Sequence, residues 1–136
     1  MTRTLLKTAS AAILAATLGL GALTAPATAG GQISIGITPT DPEHEQALKT
    51  GLGMFALFNN IKNGGVIQNG NFNSAGLAQN GSDNLGIIVQ EGNGHNGTIN
   101  QTGDGNTCGL FQFGENTTGD CSQTGGQTGA VFQFGF

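Results

Sequence analysis

Gln68-Asn-Gly70-Asn-Phe-Asn73-Ser-Ala75-Gly-Leu77-Ala-Gln79 and its sequel Gln79-Asn-Gly81-Ser-Asp-Asn84-Leu-Gly86-Ile-Ile88-Val-Gln90 state one pattern twice, eleven residues apart. The metre runs on to the C-terminus, with Gln at 68, 79, 90, 101, 112, 123 and 133: five steps of eleven, then one of ten. A Gly stands two places after each, at Gly70, Gly81, Gly92, Gly103, Gly114, Gly125 and Gly135. Five places after the Gln come Asn73, Asn84, His95, Asn106 and Thr117, and seven places after come Ala75, Gly86, Gly97, Cys108 and Gly119. The column nine places after is apolar: Leu77, Ile88, Ile99, Leu110 and Cys121, joined by Val131 in the shortened last unit.

Gly-x-x-Asn is turn chemistry, since both residues tolerate positive φ. Offsets seven, nine and eleven share parity, so on a strand they point to one face. Each unit therefore reads as a strand over offsets six to twelve followed by a tight turn. Its inward column is small, aliphatic, Gln. Two units make a strand-turn-strand coil of twenty-two residues. Stacked coils make two parallel, in-register sheets about 10 Å apart, with strands about 4.8 Å apart along the stack. The expected fold is all-β, a two-sheet parallel β-solenoid of about three coils.

The column ten places after the Gln tests the longer period independently. It reads Ala78, Val89, Asn100, Phe111 and Ser122, then Phe132 in the short unit. Small or polar residues alternate with large apolar ones, as they must if odd and even strands lie on different sheets. One outer face is polar. The other carries a ridge of Val89, Phe111 and Phe132, extended by Phe113 and Phe134.

Residues 68–79 resemble the curlin repeat, Gln-x-Gly-x-x-Asn-x-Ala-x-x-x-Gln, at every defined position, and 79–90 do so with Gly86 in place of Ala. Later units depart: His95 and Thr117 replace Asn, Cys108 replaces Ala, and the last unit is one residue short. The resemblance spans residues 66–136. It implies a curli-type subunit, exported through outer-membrane secretion machinery and polymerising with itself or another curlin into adhesive amyloid fibres of a biofilm matrix. It also implies stacking ladders, carried here by the Gln column from Gln68 to Gln133 and by Asn73, Asn84 and Asn106. An accessory chain that nucleates, caps or anchors such fibres is the alternative, and so is a monomeric solenoid that binds a surface.

Edges supply the mechanism. A stack three coils tall shows unpaired N–H and C=O groups at both ends, and such edges template another chain unless covered. Asp83, Asp104 and Glu115 sit at turns, where acidic gatekeepers slow premature association.

The segments before the repeat read differently. Met1 to Ala29 has Arg3 and Lys7, an apolar run through Leu23, and Ala27-Thr28-Ala29 before Gly30. These are the marks of a signal peptide over 1–29, and the run is too short and Thr/Gly-diluted for the about 20 residues of a membrane span. Residues 30–63 form an N-terminal strand and helix, and 64–136 the repeat domain. Gln32-Ile33-Ser34-Ile35-Gly36-Ile37 alternates as a strand with three Ile on one face. Asp41-Pro42-Glu43 starts a helix. Leu48, Leu52 and Phe55, with Met54, Phe58 and Ile61 alongside, carry it to Asn63-Gly64-Gly65, although Gly51 and Gly53 also allow Leu52–Phe58 to be a strand entering the first coil. The helix is expected to lay its Leu/Phe face on the ridge or over the first coil; as an end cap, it would make growth one-directional.

Composition fits. The chain has 25 Gly in 136 residues, 9% charged residues, and four Lys plus Arg against eight Asp plus Glu. That balance is no footprint of a nucleic-acid binder, which needs a basic stripe. Removing 1–29 takes two basic residues, leaving a charge of 2 − 8 = −6. Cys108 and Cys121, in inward columns of consecutive units of an exported chain, suggest a disulfide. Packed free thiols are the alternative, because sheets 10 Å apart exceed the reach of a bridge. His44 and His95 stand apart with no ligand cluster, no catalytic set has motif spacing, and no cofactor or enzyme activity is expected.

Overall fold

The computed structural model describes residues 31–136; the signal-peptide reading of 1–29 falls outside them. The elements are β1 (Gln32–Ile37), α1 (Pro42–Phe58), β2 (Gly64–Asn69), β3 (Ser74–Asn80), β4 (Leu85–Asn93), β5 (Asn96–Thr102), β6 (Thr107–Glu115), β7 (Thr118–Thr124) and β8 (Thr128–Gly135). Strands β3, β5 and β7 occupy offsets six to twelve of their units. They form one three-stranded sheet in the order β3-β5-β7. The other sheet runs β1-β8-β6-β4-β2. Strands β2 to β8 pair parallel and in register, so Gln68, Gln90, Gln112 and Gln133 form one row and Gln79, Gln101 and Gln123 another. The two-sheet solenoid expected from the metre is what folds.

Two apolar layers hold it. Between the sheets, Ile88, Ile99, Leu110 and the two cysteines are buried, with Leu77 and Val131 packed against them toward the ends. On the outer face of the larger sheet, Leu52 and Ala56 of α1 close over Ile87, Val89 and Phe111. Phe55 meets Phe111 edge-on at 5.7 Å, and Phe111 stacks on Phe132 at 4.8 Å. Ring pairs of both kinds add to the burial of aromatic area. The helix therefore lies along the Val89–Phe111–Phe132 ridge, and Leu52–Phe58 is helical rather than a strand. It starts where Asp41 caps it: the His44 N–H donates to the Asp41 carboxylate at 2.9 Å, which holds that carboxyl below its usual range. It stops at Phe58, short of the expected Asn63. Asn60 adopts φ 58° and Ile61 N–H returns to Ala56 O at 2.8 Å, so the chain turns off the helix and carries Ile61 back onto the sheet.

Two expectations need correction. The larger sheet does not end in a bare strand at its C-terminal side, because β1 covers β8 antiparallel from Gln32↔Gly135 to Ile37↔Ala130. And the cap is this strand, not the helix. Its three Ile face outward, with Ile35 and Ile37 buried.

Candidate functional site

The feature built by every unit is the interior Gln row. Each carboxamide hydrogen-bonds to the next along its row. Gln68 Nε2 donates to Gln90 Oε1 at 2.7 Å, Gln90 to Gln112 at 2.8 Å and Gln112 to Gln133 at 2.8 Å. On the facing sheet Gln79 donates to Gln101 at 2.9 Å and Gln101 to Gln123 at 2.8 Å. The second amide hydrogen goes to a backbone carbonyl at the start of a strand in the facing sheet, as from Gln90 to Ser74 O and from Gln112 to Asn96 O. Both donors of an internal carboxamide are thereby satisfied in the buried interior, as a buried amide requires. Every rung donates toward the C-terminus. The ladder is polar.

Small residues at offset seven make room for it. A Cβ on Gly97 would stand 2.6 Å from Gln112 Oε1 and 3.0 Å from Leu110 Cδ2. The inward aliphatics Leu77, Ile88, Ile99, Leu110 and Val131 fill the space beside the row. The turn glycines Gly70, Gly81, Gly92, Gly103, Gly114 and Gly125 all take positive φ.

The Asn column works through the backbone. Asn73 Nδ2 donates to Gly92 O and Asn84 Nδ2 to Gly103 O, both at 2.9 Å. Their Oδ1 atoms accept the next coil's N–H, from His95 at 3.0 Å and Asn106 at 3.0 Å. Asn106 Oδ1 in turn accepts from Gln127 N at 3.1 Å. His95 and Thr117, which break the repeat, stay in the column: His95 Nδ1 lies 2.8 Å from Thr117 Oγ1, both buried. Sequence reasoning passed over this pair because it compared residue types.

Cys108 and Cys121 are joined by a disulfide, with Cα atoms 6.8 Å apart. That separation is at the upper limit of what a bridge spans, so the two sheets stand close enough at this level for the disulfide and the free-thiol alternative falls. The bridge ties residues 13 apart, and closing that loop in the unfolded chain corresponds to about 3 kcal/mol. Reduction is expected to lower the denaturant midpoint accordingly; an unchanged midpoint with free thiols confirmed by mass would refute the assignment of stability to the bridge.

The two ends of the ladder differ. Gln90, Gln101, Gln112, Gln123 and Gln133 are buried, whereas Gln68 and Gln79 are exposed. Among the described residues nothing donates to Oε1 of Gln68 or Gln79. Inward-facing Val66 is 42% exposed beside them. At the other end Gln133 Nε2 turns to Thr118 O at 2.8 Å and Ser34 Oγ at 3.5 Å. Among the described residues no group of three His, Cys, Asp or Glu is placed to hold a metal, and no helix is long and apolar enough to cross a membrane.

The family model described as the curlin associated repeat matches residues 81–114, from the turn before β4 to the end of the β6 ladder row. No curated protein and no solved structure matches the chain.

Proposed function

We propose, from the curlin associated repeat that residues 81–114 match and the solenoid it belongs to, that this chain is a structural component of curli-type extracellular adhesive fibres, exported through the outer membrane and joined to its neighbour by strand addition. The observation that carries this is the unfinished ladder. Gln68 and Gln79 present their Oε1 atoms at a bare end where β2 and β3 lie level, each with one edge unpaired. A coil set there would pair both backbones at once, continue both Gln rows and cover Val66 and Leu77. Parallel in-register addition of this kind is what gives stacked strands their stability.

Preformed curli-type fibres are the probe. The purified chain is expected to sediment with them, and Val66→Lys, which plants a charge on the bare end at a half-open position, to stay in the supernatant. A chain that remains monomeric beside the fibres would overturn the proposal. So would a Val66→Lys variant that sediments as the wild type does.

A further inference from the structure

The two ends of the solenoid are so unlike that they assign the chain a single neighbour. We infer that this protein docks only through β2 and β3, on the uncapped C-terminal coil of another curlin-type chain, and closes the fibre at that end. The inference rests on the strand-addition reading above and specifies its partner.

Three observations carry it. First, β1 is the wrong kind of strand to extend the stack. It runs antiparallel on β8, and its inward residues are Gln32, Ser34 and Gly36 rather than a ladder row. Gln133 meets Ser34 there, so the row ends on a short hydroxyl with no carboxamide to pass on. Second, the end is stepped. The smaller sheet stops at β7 while the larger continues through β8 and β1, two strand levels or about 10 Å further. A notch of ≈ 440 Å³ lies beneath the overhang, bounded by Ile37 to Pro39 on one side and Cys121 to Gln123 on the other. Gln32 reaches across its margin: its Nε2 donates to Thr118 O at 3.1 Å and its Oε1 accepts from Thr118 N at 3.2 Å. The carboxamide occupies the backbone pair of Thr118, the first that a strand added to β7 would take. A level two-strand coil finds no level landing.

Third, the bare end does not fit itself. Because each rung donates toward the C-terminus, Gln68 and Gln79 face outward as acceptors. Two such ends brought together oppose acceptor to acceptor. The matching surface is a coil in which the last Gln of both rows turns its Nε2 outward; here Gln133 has given that up to Ser34, and Gln123, which among the described residues donates only to Thr107 O at 2.9 Å, lies in the notch beneath the overhang. Its partner is therefore a curlin-type chain with no strand folded over its last coil.

Gold-labelled wild-type chain tests this on fibres grown from the Ile35→Asp/Ile37→Asp variant, in which the buried outward face of β1 is made charged and the cap released. Gold is expected at one end of each fibre and nowhere along its length. Gold at both ends, gold along the length, or bare fibres would each overturn the inference. Should the released variant form no fibre while folded, the strand-addition reading itself falls. Should it fail to fold, the wild-type chain decides alone: fragments of any wild-type aggregate are expected not to seed wild-type elongation, with β8 amides exchanging far more slowly than those of β2. Self-seeding, or equal exchange, overturns the cap.

Discussion

Gln112→Leu is expected to lower the unfolding free energy by about 3–5 kcal/mol, because it orphans several buried groups at about 1–3 kcal/mol each. Leu matches the side chain in bulk but can neither donate nor accept. Gln90 Nε2 loses its acceptor, Gln133 Oε1 its donor, and Asn96 O the amide that reaches it at 3.0 Å. All three carboxamides are buried, so water does not replace the lost partners. Gln68→Leu provides the comparison. That residue makes one rung only, so its loss orphans a single buried acceptor, Gln90 Oε1, and should cost about 1–2 kcal/mol. Denaturant melts of both variants check the contrast. Equal losses would mean that the row contributes through bulk alone.

Gly92→Ala should be nearly as damaging, with a loss of about 3 kcal/mol or more from backbone strain and overpacking together. Gly92 has φ 127°, a region that side chains rarely adopt, and a Cβ there would run into the carbonyl oxygen of Gly114 in the next coil. Coils only 4.8 Å apart have no slack to give. Relief would require parting β4 from β6, which breaks the rows on either side. Gly76→Ala is the control: φ is ordinary there and the nearest atom, Thr98 Cγ2, is 3.5 Å away. It should shift stability by no more than about 0.5 kcal/mol. A folded, fully stable Gly92→Ala chain would show that the turn glycines are not required for close stacking.

Much of the solenoid was legible because its contacts repeat. Offsets six to twelve, read from Gln68 and its successors, coincide with β3, β5 and β7. The alternation of Ala78, Asn100 and Ser122 with Val89, Phe111 and Phe132 by itself divides odd from even strands between two sheets. The limits of α1 were less legible. Leu57 and Phe58 keep helical spacing with Ile61 yet are exposed, and the left-handed Asn60 ends the helix in favour of packing Ile61 on the sheet. Apolar spacing alone carries no sign of that exchange. The same holds for His95 and Thr117, whose types break the repeat while their polar atoms keep its contacts.

What the sequence determined by itself is the register: which residues face inward, which Gln follows which, and how far apart the coils stand. Those interactions lie between neighbouring units, so the period of the chain writes them out in full. What only the tertiary structure decided is the difference between the ends. The strand Gln32–Ile37 looks alike wherever it pairs, and its partnership with β8 joins Ser34 to Gln133 across 99 positions with no periodic mark to announce it. It settles on that edge because the helix that follows it lies on the same sheet face, holding the three Ile beside the Phe ridge. Closing one edge of the larger sheet and leaving its other edge bare is thus a long-range packing choice, and it gives a symmetric repeat two unlike ends.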